Sequence, residues 1–110
     1  MRAVAEIRSN TADRARSFLY GGIPQLARAA ESIATNIVEG CGAASQKEFA
    51  RYLDISIKSA NETEHHLLTA RDRGALPADR WASLSAEVIE IRRMSYGLRK
   101  KVLGDALLSR

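Results

Sequence analysis

Residues 32–40 read Ser-Ile-Ala-Thr-Asn-Ile-Val-Glu-Gly, and a short turn separates them from residues 45–49, Ser-Gln-Lys-Glu-Phe. Ile33 and Ile37 lie one turn apart on one helix face, and the alanines around them allow a neighbouring helix to approach closely. Gly40 is expected to adopt the left-handed backbone conformation that ends a helix. Ser45 and Glu48 form a capping box, so a second helix is expected to begin there. The segment therefore predicts two helices joined by a tight turn.

Apolar residues recur every three or four positions along most of the chain and predict four helices without a strand. We expect helices over about residues 2–20, 24–39 and 45–73, and a fourth that begins at 77 or 79. Gly21-Gly22 is expected to end the first helix, and Gly74 the third. Pro24 is expected in the first turn of the second. Short connections then predict an up-down-up-down four-helix bundle in a single domain, residues 1–110.

The same periodicity predicts which faces are buried. In the first helix the expected stripe is Val4, Ile7, Thr11, Ala15 and Phe18. In the third helix it is Phe49, Tyr52 or Leu53, Ser56, Ala60, Thr63, Leu67 and Ala70. In the fourth it is Trp81, Leu84, Val88, Ile91, Ser95, Leu98 and Val102, a seam close to a heptad repeat.

Composition narrows the class of protein. Lys and Arg number 17 against 13 Asp and Glu, giving a net charge of +4, and the cations concentrate at both ends of the chain. That distribution indicates either nucleic-acid contact or complementary packing between subunits. Cys41 is the only cysteine, which fits a reducing cytoplasm. No secretory signal and no run of about 18–20 apolar residues is present, so a cytoplasmic protein that does not enter a membrane is expected.

The sequence offers few candidate catalytic or metal-binding residues. Glu62 and His65 have the Glu-x-x-His spacing of di-iron helical bundles, but such sites need the motif twice. His65 and His66 are adjacent and point about 100° apart on a helix, so both cannot readily bind one ion. No nucleophile turn or glycine-rich phosphate loop is present. We expect no catalytic residue, no metal and no cofactor, hence a protein that is not an enzyme.

A cationic stripe runs along the fourth predicted helix. Arg92 and Arg99 are seven residues apart, as are Arg93 and Lys100, and Tyr96 lies between them. Such an array suits phosphates, because each cation can neutralise one charge, and Tyr96 could stack on a base. The alternative is a solvated helix face near a C-terminus, where cations also suit the helix dipole. Spacing alone leaves both interpretations open.

Several of these segments resemble a known family. Residues 25–30, Gln-Leu-Ala-Arg-Ala-Ala, the stretch 32–40, and Ser45, Glu48 and Phe49 look like the bacterial four-helix-bundle proteins encoded in intervening sequences of 23S ribosomal RNA genes. The resemblance covers about residues 20–103 and continues through Ile55, Ser59, Glu62, Glu64, Leu67, Arg93-Met94, Gly97-Leu98 and Lys100. The family is in turn similar to the accessory variability protein of diversity-generating retroelements, which assists a reverse transcriptase.

The resemblance implies a homopentameric ring with a positive surface. For the retroelement branch it also implies binding to RNA or DNA, or to a reverse transcriptase, whereas the intervening-sequence branch has no settled biochemical role. The sequence departs from the family at Lys58, where the family usually has Gly, and at His65-His66, which replace a polar pair. An assembly or adaptor protein that does not bind nucleic acid is the alternative function.

The motif residues Asn36 and Glu39 are expected to be structural. They are polar, lie beside Ile33 and Ile37, and should hydrogen-bond across helices near Glu62 or to backbone at Gly40.

Overall fold

The computed structural model describes residues 12–108, and all regular structure within that range is helical. Helix α1 consists of helical residues 12–17, a π-helical turn at Phe18–Gly22 and the α-helical stretch Ile23–Cys41. Helix α2 is Gln46–Asp72, and helix α3 is Ala78–Leu108. The prediction of an all-α chain is confirmed for the described residues.

The predicted break at Gly21-Gly22 is wrong, because α1 passes through it. Ser17, Gly22 and Ile23 all keep right-handed helical backbone angles. The Ile23 N–H donates to the Phe18 carbonyl five residues back, which widens this turn into a π-helix. Pro24 has no N–H to donate, and the wider turn accommodates it within a continuous helix.

The described residues therefore form three helical rods, where the sequence predicted four separate helices. Residues 1–11, which carry Val4, Ile7 and Thr11 of the first predicted stripe, lie outside the described residues.

Gly40 does not have the left-handed conformation expected of it. Among the described residues only Gly74 has a positive φ, 77°, and α1 continues through Gly40 to Cys41. Gly40 is buried where α1 meets α2: a Cβ placed on it would lie 2.8 Å from Phe49 Cδ1 and 3.2 Å from Tyr52 Cβ. Glycine is required here by close packing.

The other helix ends are as predicted. The Glu48 N–H donates to Ser45 Oγ at 3.1 Å, and Glu48 Oε2 accepts from the Ala44 N–H at 3.2 Å, which is a capping box. Gly74 ends α2 in the left-handed conformation, and the N–H groups of Ala75 and Leu76 donate to the Ala70 carbonyl.

Helix α2 lies between the other two and runs antiparallel to both. It packs along α1 and along α3, whereas α1 and α3 scarcely approach each other. Ser56 of α2 donates to the Ile33 carbonyl of α1, and Arg99 of α3 reaches Asp54 of α2. Consequently α1 and α3 are parallel to each other and flank α2.

The predicted core seams are largely confirmed. All members of the α2 stripe from Leu53 onward are buried, and Phe49 is half-buried. In α3 Val88, Ser95 and Val102 are buried, and Trp81, Leu84 and Ile91 are half-buried. Leu98 is the exception, with 38% of its surface exposed.

Leu98 is exposed because α1 and α3 leave an open groove between them over α2. We call this surface the apolar groove; its apolar lining is Leu26, Ile33 and Ile37 of α1, Leu53 and Leu67 of α2, and Leu84, Val88, Ile91, Met94 and Leu98 of α3. Glu87 is the only charged side chain that lines it within residues 12–108.

No helix in the described part of the chain combines the length and apolar character needed to span a bilayer.

Candidate nucleic-acid interface

Two of the predicted phosphate-binding arginines turn toward α2. Arg92 Nη1 donates to Asn61 Oδ1 and to Glu64 Oε1, both at 2.8 Å. Arg99 Nε donates to Asp54 Oδ1 at 2.5 Å. These bonds join α3 to α2 along one edge of their contact. The positive charge of each arginine therefore already has a carboxylate beside it.

A third predicted arginine is paired within α3. Arg93 makes two hydrogen bonds to the Glu90 carboxylate, at 2.6 and 3.0 Å. These bonds hold the pKa of Glu90 below its ordinary value and raise the pKa of Arg93, so both groups stay charged. The pair is exposed and carries no net charge, which reduces its attraction for phosphate.

The other two residues of the predicted stripe, Lys100 and Tyr96, have side chains that can still contact a ligand. Lys100 is exposed and has no hydrogen bond or ion pair with any residue in the described range. Tyr96 has 54% of its surface exposed. Of the predicted interface residues, only these two offer a cation and a ring that are not engaged by the protein itself.

Sequence reasoning missed three cations on α2. Lys47, Arg51 and Lys58 are exposed and, at spacings of four and seven, line one side of the helix. Arg51 precedes the groove residue Leu53 by two positions, about 200° around a helix, and Lys58 shares the side of Arg51 because it lies seven residues further on. They therefore lie on the outer side of α2, away from the apolar groove. Their spacing matches that of Arg92 and Arg99, so the signal was present in the sequence.

The two groups of residues share one side of the molecule. Arg92 and Arg99 reach Asn61 and Asp54, which bracket Lys58 along α2; Tyr96, between the two arginines, is at the level of Lys58. Arg51 contacts the Tyr52 ring at 5.1 Å and stays exposed. We call this surface the basic face and define it as Lys47, Arg51, Lys58, Tyr96 and Lys100.

Polar residues of the α1 motif join α1 to α2. Asn36 Nδ2 donates to the Ser32 carbonyl at 2.8 Å and to Ser32 Oγ at 3.0 Å. Ser32 Oγ lies 2.7 Å from Ser59 Oγ of α2. Asn36 is therefore connected to α2 through Ser32, and its structural role stays a prediction.

The two motif carboxylates are placed differently from what was expected. The side-chain carboxylates of Glu39 and Glu62 are both exposed and make no hydrogen bond or ion pair with another described residue. Glu62 instead lines a shallow polar surface with Gln25, Arg28 and His66. The expected cross-helix bond of Glu39 is absent from the described part of the chain, because the side chain faces solvent rather than α2.

Residues 12–108 contain no set of side chains arranged to bind a metal ion. No group of three or more His, Cys, Asp or Glu side chains there converges on a common point. His65 and His66 have ring centroids 5.6 Å apart with planes tilted by 58°.

The chain matches a known protein family. The family model described as 23S rRNA-intervening sequence protein matches residues 1–97. No curated protein and no solved structure shows significant similarity to the chain.

Proposed function

Because the chain belongs to the 23S rRNA-intervening sequence protein family, we propose that it is a non-enzymatic, homo-oligomeric protein that binds nucleic acid through its basic face. The ligand is RNA or DNA bound with low sequence preference. A nucleic-acid enzyme such as a reverse transcriptase is a further proposed partner, and a ring of five copies is the proposed assembly.

The observation that carries the proposal is the basic face itself. Lys47, Arg51 and Lys58 follow one side of α2, and Lys100 lies on the adjoining flank of α3, without a carboxylate partner in the described structure. Phosphates gain from such a row because each cation releases a condensed counterion. The exposed Tyr96 ring adds a surface on which an unpaired base can stack. The face therefore suits a single-stranded backbone better than a small anion.

Assembly would strengthen this weak site. One chain has a net charge of +4, so five copies would carry +20 and repeat the basic face five times. Several weak phosphate contacts on one polyanion then act together, and affinity rises without any new contact within a copy.

The test compares two triple variants that remove the same charge. Lys47, Lys58 and Lys100 are changed to Gln in one, and Arg73, Arg80 and Lys101, exposed cations outside the basic face, in the other. Anisotropy titrations with labelled single-stranded RNA and DNA are run at two salt concentrations. We expect parent binding to weaken with salt, and the first variant to lose about 1 in salt slope for each phosphate contact removed. The second variant should bind like the parent.

Equal weakening in both variants would mean that net charge alone attracts the nucleic acid and that the basic face is not a site. Light scattering on each variant checks that the assembly is retained.

The ion pairs of three arginines in the predicted stripe favour a second candidate function, that of an assembly or adaptor protein. Arg92, Arg93 and Arg99 hold carboxylates of the same chain, so this part of the predicted stripe stabilises the protomer. If the assembled parent shows no salt-dependent binding even at low salt, the adaptor function is the better description.

A further inference from the structure

The N-terminal part of α1 exposes large apolar side chains. We call residues 12–23 the arm. Phe18 is buried against the protomer, but Leu19, Tyr20 and Ile23 have 56%, 82% and 41% of their surfaces exposed. Since α1 is continuous through the π-helical turn, residues 12–17 stay in line with α1 beyond Ser17, which lies near Arg73 at the end of α2. The arm of a chain therefore does not cover that chain's own groove.

The apolar groove has the dimensions and chemistry to receive such an arm. From Leu84 to Leu98 it follows fourteen residues of α3, about 21 Å, and the twelve-residue arm is about 18 Å long. Met94 and Leu98 on its rim are 58% and 38% exposed in the protomer. Its only charged lining residue in the described range is Glu87, and the arm carries Arg14 together with an Arg16–Asp13 pair. Shape, apolar character and charge are all complementary.

We propose that the apolar groove binds the arm of a second copy of this chain, so that each copy gives an arm to a neighbour and receives one. The arm then lies as a fourth helix on the layer of three helices that residues 12–108 form. Contacts of this head-to-tail kind close into a ring when the rotation permits. The inference rests on the homo-oligomer part of the proposed function and is independent of nucleic-acid binding.

Charge substitutions locate the contact. Met94→Glu in the groove and Tyr20→Glu in the arm change side chains that are exposed in the protomer, so the protomer should still fold. The control is Ile89→Glu on the other side of α3, where Ile89 is 45% exposed. By sedimentation equilibrium we expect the first two variants to shift to protomer mass and the control to keep the parent mass. Dissociation by Ile89→Glu with Met94→Glu still assembled would overturn the proposal, as would a parent that is monomeric.

Cross-linking distinguishes an exchanged arm from one that folds back. In a Cys41→Ser background, Ala12→Cys on the arm and Glu87→Cys on the groove rim are placed in separate chains of different mass. The chains are refolded together and treated with a short bismaleimide. We expect a cross-linked product containing one chain of each kind. The chain that carries both substitutions should give products of two or more chains, and a single-chain cross-link would overturn the proposal because the arm would occupy its own groove.

Absence of any cross-link in an assembled protein would also overturn it, since the copies would then meet elsewhere. Loss of nucleic-acid binding in an otherwise cross-linked assembly would reject the proposed function and leave the arm contact standing.

Discussion

At Gly40 the backbone of α1 lies directly against side chains of α2. A methyl group there would meet the Phe49 ring and the Tyr52 Cβ, and the latter cannot move without its backbone. At Gly97, in α3, an added methyl group would have no neighbouring atom within 4 Å. Close packing therefore excludes a side chain at Gly40, whereas Gly97 has space for one.

We expect Gly40→Ala to lower the free energy of unfolding by about 1–3 kcal/mol, because overpacking forces the helices apart. Gly97→Ala should raise it by about 0.5–1 kcal/mol, the usual gain of alanine over glycine inside a helix. Urea unfolding monitored by circular dichroism measures both. Equal gains would show that α1 and α2 do not meet at Gly40.

Residues whose role is local could be predicted, and residues whose role depends on another helix could not. Ser45, Glu48 and Gly74 act on the backbone within a few positions, so their spacing identified them. Gly40 was recognised as important, but its reason lies in Phe49 and Tyr52 of the next helix. Likewise the spacing of Arg92 and Arg99 gave their common face but not the carboxylates that α2 places beside them.

At the scale of elements, the π-helical turn determines the direction of the arm. The Phe18 ring lies against Gly22 so closely that a Cβ on Gly22 would overlap it, whereas Gly21 has open space. Phe18 is 2% exposed and fixes this turn to the rest of the protomer. Gly22 is therefore the residue that lets the ring pack where it does.

Gly22→Ala should displace the Phe18 ring and destabilise the protein by about 1–3 kcal/mol. Gly21→Ala is the matched control and should stabilise by about 0.5–1 kcal/mol. Thermal unfolding of the two variants at equal concentration gives the comparison. Should Gly22→Ala prove as stable as Gly21→Ala, the Phe18 contact described above would be wrong.

The joining of the first two predicted helices shows why element boundaries were harder to predict than element type. A Gly-Gly pair followed two residues later by Pro is typical of a helix end. The backbone instead absorbs Pro24 in a widened turn, since a glycine can keep helical angles as easily as it leaves them. The apolar stripes of α2 and α3 gave no such ambiguity, because many residues contribute to each.

At the scale of the whole molecule, the described residues form a layer of three helices and not a closed four-helix bundle. Helix α2 packs along both of its neighbours, whereas α1 and α3 scarcely approach each other. Much of α3's apolar surface, including Met94 and Leu98, is therefore exposed until something covers it. Stability and assembly are then linked through the groove.

We expect the thermal midpoint of the parent to rise with protein concentration, because a partner that binds only the folded state stabilises it by mass action. In Met94→Glu the midpoint should be lower and independent of concentration, and in Ile89→Glu the concentration dependence should remain. Scanning calorimetry over a hundredfold range of concentration provides the measurement. If the thermal midpoint of the parent does not change with protein concentration, assembly does not stabilise the folded protomer and this prediction is wrong.

The position of α2 between its two sequence neighbours also has a kinetic consequence. Helix α2 pairs with the segment just before it and the segment just after it, so no long loop has to close before the protomer forms. Chains with such local contacts fold within microseconds to milliseconds, whereas docking of one chain on another takes milliseconds to minutes and depends on concentration. Refolding should therefore show a fast phase that is the same at every dilution, followed by a slower one that dilution delays. During that interval the apolar groove of a newly made chain is uncovered, and other proteins in the cell compete with the second copy for it.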